Sequence, residues 1–357
     1  MKIFIFLWGC SDLPLPEERQ IPFSDLILVA ATDFTTAFLS AMSRDGGTFY
    51  RDITHIHSDA TLFTHGGDVF VVNRLGHDSI LRLKPAYGYA RDYELFLERR
   101  SNPHFLAFLD DTQAVVSLYD KNYLAIIDYQ SGKFLDTISL APYADADGLP
   151  ESSGLYYHGG YLYLAVQRLN RHGPGIWPPV GQSYLLKIHP PTKNIVASFL
   201  LPYTNPLSPL RYHAFRNSLI FASPGRFAAN YELDGGVLEF SLGAQTVSVL
   251  ISENDVGEEI MDCLLYSHSL GFLISQDASF ITKLYAFDPQ TKQILKLMAQ
   301  SQSNNGFFSD MEIHNHYLYL ADRNYQKPQV RVFQLPQLQE IPTMYEGLPP
   351  FDLVYLP

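Results

Sequence analysis

Cysteine is nearly absent: the 357 residues hold only Cys10 and Cys263. Two cysteines carry no disulfide framework, and Cys263, inside EIMDCLLYS, reads as a small buried hydrophobe. Positive charge is also short. Lys and Arg total 25 against 37 Asp and Glu, a formal net charge of −12. That balance argues against a nucleic-acid partner, because phosphate binding needs clustered cations. No apolar run approaches the roughly 18 residues of a membrane-spanning helix, so membrane attachment is expected only through a lipid anchor. The short motifs of common chemistry are missing as well. There is no Gly-x-Ser-x-Gly, no phosphate loop, no His-Glu-x-x-His and no cysteine pair at metal spacing.

What is plentiful is aromatic and turn-forming. Phe (24) and Tyr (23) raise the aromatic share to 14%, and Gly and Pro number 23 each. Aromatic residues suit a pleated, half-buried surface, while Gly and Pro punctuate turns. The composition therefore predicts many short strands.

The strands repeat. DATLFTHGGDVFVVNR at 59–74 and DGLPESSGLYYHGGYLYLAVQR at 147–168 share a His-Gly-Gly followed by an apolar-aromatic run. Their offset is close to twice a propeller-blade repeat of roughly 40–50 residues. Four-strand units follow at 59–97, 103–140, 151–202, 210–251, 260–299 and 307–341. Residues 25–56 supply three more strands and 349–357 supply one. Three plus one makes a seventh blade, which would close the ring and remove free sheet edges. The expectation is an all-β propeller of seven four-stranded blades, with six as the alternative. HPPTKNI at 189–195 and DPQTKQI at 288–294 read as turns between third and fourth strands, with Pro presetting φ.

Two resemblances bear on this reading. YDKNYLAIIDYQSGKFLDTISL, 119–140, resembles the YVTN-type and related NHL-like seven-bladed propellers of bacterial extracytoplasmic proteins. It implies the fold and says little of function. MKIFIFLWGC, 1–10, resembles a bacterial lipoprotein signal peptide. That resemblance implies a lipid on Cys10, a signal and tether over 1–21, and a single propeller domain over 22–357. Ser11 after the cysteine implies the outer membrane.

Candidate chemistry falls in four places. His65 and His158 sit in the His-Gly-Gly segments and read as hairpin turns rather than metal ligands. Asp145, Asp147 and Glu151 alternate around a glycine, as carboxylates that wrap Ca²⁺ do, or form an acidic solvated loop. At the start of successive innermost strands stand Asp59, His104, Ser153, Arg211, Asp262 and Ser309, with His213, Asp310 and Glu312 just after. These are expected to ring one mouth of the central channel, either as a ligand site or as an ion-pair network with Arg211 and His213 facing Asp262 and Asp310. SDMEI, 309–313, resembles the Asp-x-Glu segment of phytase-like and esterase-like propellers, which implies channel-held Ca²⁺; the Glu-Pro segment of lactonase-type propellers is missing near the N-terminus. Finally, RLNRHGPGIWPPVG, 168–181, is a Gly/Pro-rich insertion whose Arg171 and Trp177 could anchor a partner or fold over their own blade. The expected function is a non-catalytic, envelope-anchored, monomeric binding scaffold for a protein or small ligand, without a cofactor. The alternative is a Ca²⁺-dependent hydrolase of lactonase or phytase type.

Overall fold

The computed structural model describes residues 21–171, 177–227 and 231–357. They form seven antiparallel sheets of four strands each, arranged as a seven-bladed β-propeller. Blade one is composite. The C-terminal strand Pro350–Leu356 is its innermost strand and pairs with Leu26–Thr32, which continues into Ala37–Ser43 and Phe49–Ile56. Blades two to seven follow in chain order. Their innermost strands are Ala60–His65, Pro103–Phe108, Ser152–His158, Arg211–His213, Glu259–Leu265 and Phe308–His314.

The burial pattern explains the strand sequences. Most middle strands are covered on both faces by the neighbouring blades, so they read as near-continuous apolar runs, whereas Thr282–Phe287 and Gln329–Gln334 alternate around Lys283 and Arg331. Val69, Phe70, Val71 and Val72 are all fully buried, as are Leu124 and Ile127. Outer strands face water: Lys133–Ser139 is exposed over its first four residues. The apolar core is accordingly divided. One buried cluster fills each of the seven seams between adjacent blades, such as Leu28, Leu39, Leu62 and Val71 between blades one and two.

The turn chemistry matches the hairpins. Gly66 and Gly67 have φ of 59° and 81°, and Gly159 and Gly160 have 58° and 84°. Both central residues of a type I′ turn need positive φ, which is why paired glycines recur there. The 189–195 segment forms a single 3₁₀ turn, Pro190–Thr192, closed by Lys193 in the left-handed region. Three local features mark blade five and its exit, and two of them, the short first strand and the helix, depart from the sequence reading. The innermost strand of blade five is cut to Arg211–His213. A long connection separates Ser218–Ser223 from Gly236–Ser241 in the same blade. A one-turn helix, Glu253–Val256, starts on a capping box in which Ser252 and Asp255 satisfy each other's backbone N–H.

Candidate functional site

The innermost strand of each blade has a free edge facing the ring axis, and its backbone N–H groups need acceptors there. Side chains of neighbouring blades supply some of them. Asp310 Oδ2 accepts from the Leu353 N–H at 2.8 Å, and Asp352 Oδ2 accepts from the Leu62 N–H at 2.7 Å. Ser309 Oγ donates to the Pro350 carbonyl at 3.1 Å, and Thr61 Oγ1 to the His104 carbonyl at 3.3 Å. Blade seven is thus braced to blade one, blade one to blade two, and blade two to blade three.

Inside this ring lies a cavity of about 1000 Å³. That matches the upper range of small-molecule sites. Its wall has two characters. Leu62, Phe63, Phe105, Leu106, Leu155 and Tyr156, from blades two, three and four, form an apolar and aromatic arc. Across the axis stand Arg211, Asp262, Asp310, Glu312 and Asp352, from blades five, six, seven and one. Arg211 pairs with Asp262 and reaches Asp310 Oδ1 at 3.4 Å. Glu312 makes no hydrogen bond or ion pair among the described residues.

The electrostatics follow from four carboxyls around one guanidinium in a poorly hydrated wall. Burial pushes Glu312 up to about 7, a rise that Asp352 and Asp262 reinforce and Arg211 opposes. Burial likewise pushes Asp352 up to about 7, against the Leu62 N–H bond and the charges of Arg74 and Arg211. Asp310 is also raised well above the ordinary carboxylate range, by burial first and then by the charge of Asp352, against Arg211. Burial works against the charge on Arg211, but Asp262 and Asp310 outweigh it and hold the guanidinium protonated. Near neutral pH the cluster therefore holds protons that ordinary carboxylates would have lost.

Of the residues expected at the channel mouth, Arg211, Asp262, Ser309, Asp310 and Glu312 line this cavity. The others lie elsewhere. Asp59 accepts from Arg74 Nε at 2.8 Å. His104 stacks on Tyr119 with ring centroids 4.6 Å apart, and burial holds it neutral. Ser153 is buried and donates to the Pro206 carbonyl. His213 does not face Asp262 or Asp310 as expected. It is buried beside Phe215, its charged neighbours are Arg211, Arg216 and Glu239, and burial pulls it down to about 4. Asp352 and the rings of Phe63, Phe105 and Phe351 belong to the wall but escaped the sequence reading. The signal was present: Asp352 is the third residue of its innermost strand, as Asp310 is of Phe308–His314.

The acidic loop is partly solvated at Asp145 and Asp147 but buried at Glu151, and none of the three lines the channel cavity. Glu151 is 0% exposed, and its Oε2 accepts from the Leu169 N–H at 2.9 Å, pinning the start of the insertion. Asp145 and Asp147 cap backbone N–H groups of their own loop, at Asp147 and Leu149. They are not drawn into a metal shell with Glu151. Among the described residues no group of three or more His, Cys, Asp or Glu is placed to hold a metal ion. In the insertion, Arg171 pairs with Asp120 and sits over the Trp177 ring at 4.5 Å and the Tyr119 ring at 5.5 Å. The loop thus folds onto blade three, leaving Trp177 39% exposed. Residues 172–176 lie outside the described residues, as does Cys10. Cys263 is buried and free, as expected.

His65 and His158 are hairpin residues, and each also stacks on the next blade. His65 lies 4.1 Å from Phe108 and His158 lies 4.7 Å from Tyr212; His314 repeats the arrangement on Tyr355.

No family model matches the chain, and no curated protein matches it. Solved structures do share its fold. A protein from Lactobacillus plantarum superposes with a TM-score of 0.62 at 9% identity, over 92% of this chain and 98% of that one. Dihydro-heme d1 dehydrogenase NirN, in complex with DHE, gives 0.60 at 16% identity, over 96% of this chain and 78% of that one. A 6-phosphogluconolactonase-like protein from Bacteroides fragilis gives 0.60 at 14% identity, over 93% and 98%. Similarity at this level shows that the chain shares the propeller fold, and the fold alone.

Proposed function

We propose that this propeller is a non-catalytic binding protein that takes a small molecule into its central channel. The observation that carries the reading is the cavity of about 1000 Å³ with an apolar arc facing a charged one. A structural ion-pair network needs neither that volume nor an opposing wall of aromatic rings. The test is a small-molecule screen by melting temperature, since a ligand that binds the folded state raises it by mass action. Hydrogen exchange on the hits should then show protection at Glu259–Leu265, Phe308–His314 and Pro350–Leu356. Protection confined to the outer strands would sink the reading.

A second reading keeps the Ca²⁺-dependent hydrolase: Asp262, Asp310, Glu312 and Asp352 share one wall, but no three of them converge as ligands in the described geometry, so the ion would have to draw them together. Its test is calcium titration: a melting temperature unchanged at millimolar calcium removes it, and a rise abolished in Asp352→Asn would favour it over binding alone. The proposal also includes anchoring at the outer membrane through a lipid on Cys10, supported by the MKIFIFLWGC sequence. Mass spectrometry of the mature N-terminus decides this, an unmodified Met1 in cells being the adverse result.

A further inference from the structure

Four side chains of the charged arc can carry negative charge, Asp262, Asp310, Glu312 and Asp352, and one positive group, Arg211, stands among them. The nearest other cation, Arg74, is already engaged with Asp59. Asp262 is 8% exposed, and its Oδ1 takes both Arg211 and the Cys263 N–H. Its Oδ2 has no hydrogen-bond partner among the described residues. Neither has Asp352 Oδ1, nor either oxygen of Glu312. The wall thus presents to the cavity acceptor oxygens from three neighbouring blades that no protein donor meets among the described residues. Opposite them the wall is mainly aliphatic and aromatic, with Thr61, Thr64, His65 and Arg74 of blade two set into it.

Resting on the reading of the channel as a ligand site, we infer that its ligand is an amphipathic organic cation, an ammonium or guanidinium group carried on an apolar body. The cationic head satisfies the free oxygens of Asp262, Glu312 and Asp352, and the body lies against Phe63, Phe105, Leu106 and Leu155 on the far side. An anionic ligand would have to enter beside four carboxyls, with the one guanidinium among them already paired to Asp262. A neutral ligand would leave the carboxyls to share protons as they do in the empty channel. Binding of the cation displaces those protons. The groups facing Glu312 are Arg211 from blade five, Asp262 from blade six and Asp352 from blade one, with Arg74 beyond Asp352. Asp262 and Asp310 hold Arg211 charged, so the pH response belongs to the carboxyls.

The experiment compares phenethylamine, phenethyl alcohol and phenylacetate, which share an apolar body and differ in charge, by calorimetric titration against the full chain. Phenethylamine is expected to bind at least about ten-fold tighter than the alcohol, with phenylacetate weakest. The amine's affinity should fall as pH is lowered from about 8 to about 5.5 while the alcohol's stays constant, the carboxyls taking up the protons the amine displaces. Glu312→Gln, which removes no hydrogen bond among the described residues, should cost the amine roughly five-fold and leave the alcohol unchanged. Should that variant fail to fold, Asp352→Asn, which keeps an acceptor for the Leu62 N–H, takes its place with the same expected selectivity. Alcohol binding equal to the amine, tighter phenylacetate, or an unaltered amine affinity in the folded variant overturns the cation inference while the channel reading stands. Failure of all three to bind overturns both.

Discussion

Single residues in this protein are mostly fixed by what a neighbouring blade lacks. Glu151 shows this outside the channel. Burial, reinforced by the charges of Asp147 and Asp145, pushes its carboxyl up to about 8 from an ordinary 4.5, against the Leu169 N–H bond and Arg171. Glu253, buried and accepting from the Gly235 and Ile260 N–H groups, is likewise raised to about 8. A raised acid binds more protons folded than unfolded between those two pH values. Its contribution to stability is therefore whole below about 4.5 and is lost as pH rises through about 8. The melting temperature should fall from pH 5 to pH 8.5, and Glu151→Gln should flatten part of that fall, on the order of 2 kcal/mol at the alkaline end. Parallel pH curves for variant and wild type would refute the assignment. None of this was visible in the sequence, where Asp145, Asp147 and Glu151 read as solvated or metal-binding. The acceptor role of Glu151 depends on Leu169, brought back by a Gly/Pro-rich insertion whose path no local pattern specifies. The Arg211, Asp262 and Asp310 network was legible, because equivalent positions of successive blades must meet at one axis. Asp352 was missed because its strand was weighed only as the piece that completes the count.

Elements were the most legible level. Each blade's second strand is almost wholly buried, its third carries a lone charge in several blades, its outer strand is wet, and many of the turns between carry Gly, Pro or Asn. Those constraints leave a repeating trace in composition even where no residue is repeated. The exceptions are elements shaped by local contacts. The helix Glu253–Val256 is announced only by Ser252 and Asp255, and the innermost strand of blade five stops at three residues. Close packing also sets one requirement at this scale that the sequence states as a bare glycine. A Cβ on Gly236 would lie 2.5 Å from the Ile251 carbonyl oxygen and 2.9 Å from the Ser252 Cα. Both are backbone atoms of the adjacent strand and have nowhere to go. Gly236→Ala should destabilise by about 2 kcal/mol or more through forced separation of the last two strands of blade five. Denaturant unfolding measures this, and a change under about 0.5 kcal/mol would show that the strands part easily.

At the scale of the whole molecule, stability rests on the seam at which the chain's two ends meet. Arg323, 1% exposed, crosses it. Its Nη2 donates to the Thr32 carbonyl at 2.9 Å and its Nη1 to the Pro349 and Pro350 carbonyls at 3.3 and 3.4 Å. Its guanidinium lies 4.5 Å from the Phe34 ring and 5.3 Å from those of Phe307 and Phe351. One side chain thus ties blade seven to both strands that join the termini. Arg323→Met keeps much of the volume and removes the three donors, and should cost about 3 kcal/mol. Removal of residues 350–357 is harsher: it takes away the innermost strand of blade one and bares the edge of Leu26–Thr32. That truncated chain should lose cooperative melting and aggregate, because an open edge is a template for pairing. A soluble, cooperatively melting truncation would contradict the closure described here.

The composite blade also sets a clock. Leu26–Thr32 is synthesised before blades two to seven, yet its partner Pro350–Leu356 comes after all of them. Blades two to seven can each assemble from contiguous chain as they emerge, since their contacts are local in sequence. The ring itself stays open, with its acidic wall unassembled, until the final strand arrives. The closed ring and its assembled wall therefore form in a single late step, once the strand Pro350–Leu356 has been made.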